Sequence, residues 1–452
     1  MRHLIQSSKK GSGRIGASVV VGALALAALV AGCDTSRLLT VQAPNSVPAT
    51  VFNDPANATL MVNSAIGDFE CAFGGFVTTE GIATDELQDA TITAANFQLD
   101  RRDDGFTSGS YGTGGCTASE GIYTPMSTAR YEADQAINRL NGWTDAQVAG
   151  GRQLLLAEAN VYAGFAYATM GMAMCQAAFD LGPAVDQKGM FALAEKRFTD
   201  AIAAATAANQ TTMLNAAYAG RARVRLFQHN LAGAIADAQL VPKGFVFNAA
   251  NDATTARRFN HVYNTISLGG ATTVEVASRS LTTENGDVDP RSATTLLAGV
   301  KPADGKSQIV IPNKFNAGTA AAAEAIPQPV ARYEEAQLIL AEAQGGAQAV
   351  TIINTLRTAV SLKAYTGPTD AASITTLIAN ERQRVLFVEG FRAFDIERFN
   401  LALNPAAGTN YRSGGTYAHT VCLPLPDVER FANVNVNGAT LVSGVQGQTP
   451  LP

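Results

Sequence analysis

The chain has 452 residues, of which 47% are hydrophobic and only 16% are charged. This composition supplies a core for a large domain and excludes a chain that is disordered throughout. The net charge is −5 at pH 7, and the first 32 residues contain four Lys or Arg and no Asp or Glu. Without those four positive charges the remainder carries −9, which disfavours nucleic acid as a partner.

The N-terminus has the parts of an export signal. Four basic residues lie within the first 14 positions, an apolar run follows at 15–31, and the sequence LVAGC ends at Cys33. The run is short for a transmembrane helix, and small residues directly precede the cysteine, where a signal peptidase cuts. We therefore predict a lipoprotein signal peptide at 1–32, lipid attachment at Cys33 and a bacterial envelope location. A transmembrane helix with a chance cysteine is the alternative.

The next segments are predicted to be irregular. Residues 33–60 are polar with scattered prolines, which is typical of a tether from the lipid. Residues 71–120 are rich in Gly, Thr and Asp, which predicts loop structure. Loops on a rigid scaffold often carry binding residues.

Helical periodicity runs from about 122 to 241. The segments RQLLLAEANVYAGFAYATMGMAM and MFALAEKRFTDAIAAATAA are predicted to be two helices. The segment NAAYAGRARVRLFQHNLAGAIADAQLV is predicted to be another pair, which turns at 228–230. Alanines recur where two helices must approach closely, so the pattern resembles degenerate tetratricopeptide helix pairs.

The second half repeats this alternation of loop and helix. From about 243 to 328 Gly, Pro, Asn and Thr dominate, with short strand-like runs such as TTVEVAS and SQIVIP, and helices return at about 329–403. We predict a mostly α fold in a single domain at 61–452. Tetratricopeptide-like helix pairs form its scaffold, and 71–120 and 243–328 are loop-rich, short-stranded insertions.

Four cysteines follow the lipidation site, at 71, 116, 175 and 422, and they allow three pairings. An envelope location permits disulfides. We expect a bridge between Cys71 and Cys116, because both lie near glycines in the predicted loop. Four buried thiols are the alternative. The sequence contains no C-x-x-C, which disfavours thiol redox catalysis and a zinc ribbon.

Common catalytic motifs are absent from the sequence, including G-x-S-x-G and H-E-x-x-H. The segments GVKPADGKS and NGDVD depart from a P-loop and a calcium loop at the required glycines. We therefore predict no cofactor and no metal. Paired carboxylates leave an exported glycoside hydrolase as an alternative. The pairs are Asp85 and Glu86, Asp103 and Asp104, and Glu334 and Glu335.

The stretch NERQRVLFVEGFRAFDIERF, residues 380–399, concentrates charge among phenylalanines. As one helix it is apolar nearly all round, which indicates burial. Glu389, Arg392, Asp395 and Arg398 follow at steps of three with alternating sign, so neighbours can pair along the helix. Because an unpaired buried charge is costly, we predict a structural ion ladder that fixes helix packing, with catalysis as the less favoured interpretation.

This stretch resembles the C-terminal signature of the SusD/RagB outer-membrane lipoproteins. The family pattern is Glu-Gly-x-Arg-x-x-Asp, then a hydrophobic residue, then x-Arg, and it is matched by Glu389, Gly390, Arg392, Asp395, Ile396 and Arg398. Further blocks resemble the family in the same order: VARYEEAQLILAEA, IINTLRTAVSL, DPR at 289–291, KF at 314–315, and LPLPDVERFANVNV. The resemblance covers essentially the whole mature chain and is most specific in its C-terminal half.

The resemblance implies a SusD-like fold and a non-catalytic lipoprotein in the outer membrane, anchored by its lipid at the cell surface. Such proteins capture a nutrient, often an oligosaccharide and sometimes a peptide, and deliver it to a TonB-dependent, SusC-like transporter. In the sugar binders, exposed aromatic rings stack on sugars and polar side chains bond to hydroxyls. The only tryptophan, Trp143, lies in a helix connection where packing is the expected role, so the loops must supply such a platform.

The candidate ligand-binding residues are the aromatic residues Phe97, Phe106, Tyr111 and Tyr263 and the hydrogen-bonding residues Asn96, Arg101 and Asp103. For each of them, packing or a solvated loop is the alternative. A second function remains open, because Ala-rich helix pairs are also typical of tetratricopeptide-type scaffold lipoproteins that bind only other envelope proteins.

Overall fold

The computed structural model describes residues 49–103, 110–113, 121–436 and 444–446. The chain divides into two compact units, Met1–Val51 and Phe52–Pro452. Cys33 and the signal segment lie outside the described residues, so their assignment stays a prediction. Among the helices that are described, none has both the length and the apolar character required to cross a membrane.

Helices dominate the described residues, which confirms the predicted mostly α fold. In chain order they are α1 (Ala58–Ile82), α2 (Ala94–Asp100), α3 (Ser110–Thr113), α4 (Tyr123–Gly142), α5 (Arg152–Ala173), α6 (Gln187–Ala207), α7 (Thr211–Phe227), α8 (Leu231–Ala238), α9 (His261–Tyr263), α10 (Ala320–Glu324), α11 (Tyr333–Gln344), α12 (Gly346–Thr358), α13 (Ala371–Val385), α14 (Arg392–Arg398) and α15 (Asp427–Ala432). Helix α9 continues into a π-helical turn at Asn264–Leu268.

The helices α5 to α8 form the packed scaffold that the periodicity predicts. The described helices α7 and α8 are separated by the turn at 228–230, where the sequence places it. Small residues allow close approach: a Cβ added to Gly164 of α5 or Gly220 of α7 would lie 2.7 Å or 2.3 Å from the ring of Phe198 on α6. Phe198 is fully buried between these helices, so the glycines are required for this packing.

The described residues form four two-stranded antiparallel sheets, of which one lies between α5 and α6 and the others involve the loop-rich segments. The strands are β1 (Leu87–Asp89), β2 (Gln176–Ala178), β3 (Ala184–Asp186), β4 (Val246–Ala249), β5 (Thr272–Val274), β6 (Thr294–Leu296), β7 (Val310–Pro312) and β8 (Gln328–Arg332), paired as β1 with β5, β2 with β3, β4 with β8 and β6 with β7. The predicted strands in TTVEVAS and SQIVIP are β5 and β7. The pairing of Leu87 with Val274 joins the first loop-rich segment to the second.

The predicted loop at 71–120 begins too early, because α1 continues to Ile82. The glycines that suggested a loop instead permit tight packing of a helix. A Cβ on Gly74 would lie 2.6 Å from His261, and one on Gly81 would lie 2.8 Å from Leu87. The glycine content of this segment therefore does not distinguish a loop from a closely packed helix.

The stretch 380–399 is two helices rather than the single helix predicted. Helix α13 ends at Val385 and α14 begins at Arg392. Between them Val388 and Gly390 have φ of 51° and 82°, a left-handed conformation that ends the first helix. The prediction of one continuous helix is therefore wrong.

The predicted ion ladder is wrong in most of its pairings, because the helix break turns the four side chains in different directions. Of the predicted neighbours, only Asp395 and Arg398 pair, at 2.8 Å. The partners across the fold are Lys314 and Arg332 for Glu389, Asp85 for Arg392, Arg382 for Asp395, and Glu342 for Arg398. Apart from the pair of Asp395 with Arg398, the charges thus connect α14 and its flanks to other elements of the fold.

A disulfide joins Cys175 and Cys422. It contradicts the alternative of four buried thiols and leaves one of the three pairings, in which Cys71 bonds Cys116. Cys71 is buried in α1, and Cys116 lies outside the described residues. The bridge between them stays a prediction.

Candidate functional site

A row of three aromatic rings lies where helix α2 meets the C-terminal loop at 404–420. The ring centroids of Phe97 and Tyr411 are 5.7 Å apart, and those of Tyr411 and Tyr417 are 5.3 Å apart in an edge-to-face arrangement. Such separations are favourable for aromatic pairs. We call Phe97, Tyr411 and Tyr417 the ring row.

Arginine side chains lie over the ring row. The guanidinium carbon of Arg412 is 5.6 Å from the centroid of Phe97, and that of Arg102 is 5.0 Å from the centroid of Tyr417. Arg101 lies 5.9 Å from the centroid of Tyr411. These distances are within the range of cation–π attraction, so the surface alternates aromatic and guanidinium groups.

Carboxylates hold two of these arginines in place. Arg412 contacts Asp89 at 2.6 Å and Asp304 at 2.9 Å, and Arg101 contacts Asp103 at 2.6 Å. Burial raises the pKa of Asp89, while its hydrogen bonds from Thr91 and the charge of Arg412 lower it. Because the guanidinium groups are held before any ligand arrives, little side-chain ordering remains to be done on binding.

Asp100 adds a group that titrates near neutral pH. Burial raises the pKa of Asp100 to about 7, although the Tyr411 hydroxyl donates to its carboxylate at 2.8 Å. Asp100 also accepts the backbone N–H of Asp89 at 3.2 Å. The hydrogen-bond network under the ring row therefore changes its charge within the physiological pH range.

The ring row is only partly open to solvent. Phe97 and Tyr417 are half-buried and Tyr411 is buried, and the side chains of Arg101 and Arg412 are 21% and 26% exposed. Partly exposed ring faces beside N–H donors suit a ligand that has a flat apolar face and oxygen acceptors.

The structure brings four of the predicted ligand-binding residues to this place, among them Asp103, which pairs with Arg101. Asn96, Phe97 and Arg101 lie on α2 or directly after it. The Asn96 amide donates to Asp89 at 3.4 Å, and one amino group of Arg101 donates to the carbonyl of Gly414 at 3.3 Å.

Two other predicted residues are part of the core. Tyr111 is 1% exposed and donates its hydroxyl proton to the carbonyl of Pro424 at 3.0 Å, and Tyr263 is 8% exposed. Their rings complete apolar packing, so neither forms a platform for stacking. Phe106 lies outside the described residues. Trp143 is partly buried against a smaller apolar cluster.

The partners of α2 in the C-terminal loop were not among the predicted residues. Arg102, Tyr411, Arg412 and Tyr417 complete the site, and three of them lie in NYRSGGTYAH. The signal available was a tight glycine turn flanked by aromatic and arginine residues: Gly414 and Gly415 have φ of 97° and 78°.

The described members of the acidic pairs are held by hydrogen bonds and ion pairs. Their partners are Arg392 for Asp85, the backbone N–H of Val388 for Glu86, Arg101 for Asp103, Arg332 for Glu334 and Arg223 for Glu335. Asp104 lies outside the described residues. Within the described part of the chain, no group of three or more His, Cys, Asp or Glu side chains is placed to hold a metal ion.

Residues 282–423 match the model of the SusD family. The match confirms the family resemblance of this part of the chain. No curated protein sequence matches the chain. The fold is that of solved SusD-like proteins, at low sequence identity.

A SusD superfamily protein from Bacteroides vulgatus is 16% identical with a TM-score of 0.64, and the match covers 85% of this chain and 98% of that one. A laminarin-binding SusD-like protein is 16% identical with a TM-score of 0.60, covering 84% and 98%. A SusD-like carbohydrate-binding protein from Bacteroides fragilis is 14% identical with a TM-score of 0.56, covering 78% and 87%.

Proposed function

We propose that this protein is a SusD-family surface lipoprotein that captures an oligosaccharide at the ring row and delivers it to a partner TonB-dependent outer-membrane transporter. The observation that carries the proposal is the alternation of half-buried rings and fixed guanidinium groups at Phe97, Tyr417 and Arg412. Two similar structures bind carbohydrate or laminarin by their descriptions, which supports a saccharide over a peptide as the ligand.

The site works by shape and hydrogen bonding. A sugar ring presents C–H groups on one face, which pack on the ring faces of Phe97 and Tyr417, and it presents oxygens at its edge, which accept from Arg101 and Arg412. The guanidinium groups are held by Asp89, Asp103 and Asp304, so binding costs little side-chain entropy. The proposal includes no catalytic step.

Binding to oligosaccharides tests the site directly. We expect Phe97→Ala and Tyr417→Ala each to weaken the affinity for an oligosaccharide found by glycan array about tenfold, because one stacking contact contributes roughly 1–1.5 kcal/mol. Tyr111→Phe is the matched control, since it removes a hydroxyl from a core tyrosine that does not reach the site. Unchanged affinity in both alanine variants would show that the ring row is not the saccharide-binding site.

The anchor and the transporter are tested separately. Replacing Cys33 by Ala should release the protein from the membrane, because the lipidated thiol is lost. Affinity purification of the native protein from outer membranes should recover a large β-barrel protein. Repeated recovery without any barrel protein would contradict delivery to a transporter while leaving saccharide capture intact.

The tetratricopeptide-type scaffold is the second candidate function, and the packed helices α5 to α8 favour it. Such a scaffold would bind envelope proteins only. Calorimetry with the oligosaccharide distinguishes the two, because measurable saccharide binding excludes a function restricted to protein partners.

A further inference from the structure

A second pocket lies between α4 and α15, apart from the ring row. Its volume is about 280 Å³, and it is lined by Thr124, Ser127, Thr128 and Tyr131 of α4 and by Val428 and Glu429 of α15. The α4 residues are spaced three or four apart, so they form one stripe on the helix. None of these residues belongs to the ring row. We call this the Tyr131 pocket.

The polar groups of the Tyr131 pocket are mainly acceptors. The hydroxyl of Thr124 donates to the carbonyl of Gly112 at 2.6 Å, and that of Thr128 donates to the carbonyl of Thr124 at 2.9 Å. Because both hydroxyl protons are donated to backbone carbonyls, the two hydroxyl oxygens can only accept hydrogen bonds from a ligand. Glu429 accepts from Asn433 at 3.3 Å, which uses one of the roughly four acceptor positions of a carboxylate.

Exposed apolar side chains lie on both helices that form the pocket. Tyr131 is 44% exposed, Val428 is 43% exposed and Phe431 is 81% exposed. Phe431 lies three residues after Val428, so the two project from neighbouring positions on α15. Two aromatic rings left in water beside a polar pocket form a surface that favours a partly apolar ligand.

We infer that the Tyr131 pocket is a second saccharide site that takes one or two sugar residues. Sugar hydroxyls donate to the acceptors, and a C–H face of the sugar packs on Tyr131. Arg130 also lines the pocket, with its guanidinium 5.7 Å from the ring of Tyr131. That guanidinium donates to Asp180 at 2.9 Å and to Asp134 at 3.4 Å, so its terminal N–H groups are used within the protein. The volume of the pocket lies near the lower limit of small-molecule pockets, about 300 Å³. This volume limits the ligand to one or two sugar residues.

The inference rests on the proposed saccharide function for its ligand class, but on separate residues for its site. The experiment therefore uses a chain in which the ring row is removed by Phe97→Ala with Tyr417→Ala. Calorimetry on the full chain in detergent uses four probes: laminarihexaose, maltohexaose, cellohexaose and xylohexaose. We expect residual binding of at least one probe in this background.

Adding Tyr131→Ala to that background should weaken the residual binding about tenfold or more, and Glu429→Gln should weaken it less, since an amide oxygen still accepts. Leu240→Ala is the matched control, because Leu240 is also an exposed apolar side chain, 52% accessible, away from the pocket. It should leave the binding unchanged. Thermal melting checks that each variant folds.

The outcomes separate the two sites. If the wild-type chain binds and the ring-row background does not, the Tyr131 pocket is overturned and the proposed function stands. If Tyr131→Ala weakens binding and the ring-row changes do not, the pocket stands and the ring row fails. Binding of none of the probes by the wild type contradicts both. If Tyr131→Ala leaves the residual saccharide binding of the ring-row background unchanged, the Tyr131 pocket is not the second site and the inference is overturned.

Discussion

Arg392 and Asp85 form a two-bond ion pair across 307 positions of the chain, with the Nε and Nη2 atoms of Arg392 each 2.7 Å from a carboxylate oxygen. Asp85 follows α1 and Arg392 begins α14, so the pair joins the first long helix to the stretch 380–399. Both side chains are less than 10% exposed. The pair thus clamps two distant segments together, and the charges of the stretch 380–399 lie outside the ring row.

Replacing Arg392 by Ala should lower the free energy of unfolding by about 3–5 kcal/mol, because it leaves the buried carboxylate of Asp85 without its partner. Urea or guanidinium unfolding measures this. The control is Lys196→Ala, which removes a pair to Asp200 that is 66% and 41% exposed and should change stability by less than about 1 kcal/mol. Equal effects of the two changes would contradict a buried clamp.

The scaffold was predictable where one local pattern decided the structure. Helices α5 to α8 follow from periodicity in their own sequence, and the turn at 228–230 follows from its polar residues. The clamp was not predictable, because periodicity within 380–399 contains no information about Asp85. Charges at steps of three suggested pairing along one helix, and only the break before Arg392 shows that the partners come from other elements.

The disulfide between Cys175 and Cys422 closes a segment of 247 positions. Replacing both cysteines by Ser should lower the free energy of unfolding by about 2–5 kcal/mol, because the denatured chain then regains the conformational entropy that the cross-link removes. Melting of the oxidised protein with and without a reductant gives an independent measure. Identical melting temperatures for the wild type and the double variant would contradict a stabilising bridge.

The same pairing gives a prediction for Cys71 and Cys116. Because Cys175 and Cys422 are bonded to each other, a disulfide between the remaining two cysteines leaves no free thiol after lipidation of Cys33. Labelling of the denatured, unreduced protein with iodoacetamide should therefore modify none of these residues, and digestion should release a disulfide-linked peptide pair containing 71 and 116. Labelling at either position would show that the predicted bridge does not form.

Glu80 should make stability fall as pH rises through neutrality. Burial raises the pKa of Glu80 to about 8, against lowering by the backbone N–H of Ala393 and by Arg392. The unfolded value is roughly 4.3, so the folded state holds an extra proton between the two values. Its contribution is complete below about pH 4.3 and is lost as pH rises through about 8.

Glu80→Gln tests this, because the amide stays neutral and its oxygen can still accept from the N–H of Ala393. We expect the variant and the wild type to differ little at pH 4 and the variant to become relatively more stable toward pH 8 and above. Unfolding curves at a series of pH values measure the difference. Parallel pH profiles would show that Glu80 is not protonated in the folded protein.

The candidate binding site was predicted only in part, for a reason that its residues make clear. Asn96, Phe97 and Arg101 were found because they are polar or aromatic residues in a predicted loop. Tyr111 met the same criterion and is buried, since composition does not distinguish a ring that faces solvent from one that faces a core. Tyr411 joins Phe97 from more than 300 positions away, a distance over which a single sequence offers no pairing signal.

The helix break at Gly390 should depend on the absence of a side chain. Gly390 has φ of 82°, and an added Cβ would lie 2.2 Å from the ring of Phe76. Gly390→Ala therefore combines backbone strain of about 1–2 kcal/mol with a clash against Phe76 of α1. We expect the free energy of unfolding to fall by roughly 2–4 kcal/mol in total.

Gly67→Ala is the matched control, because Gly67 lies within α1 and an added Cβ has no neighbour within 4 Å. That change should be neutral or stabilise by up to about 1 kcal/mol through helix propensity. Chemical denaturation of the two variants and the wild type measures the difference. Equal stability of the two variants would mean that neither the left-handed backbone nor the contact with Phe76 requires glycine at position 390.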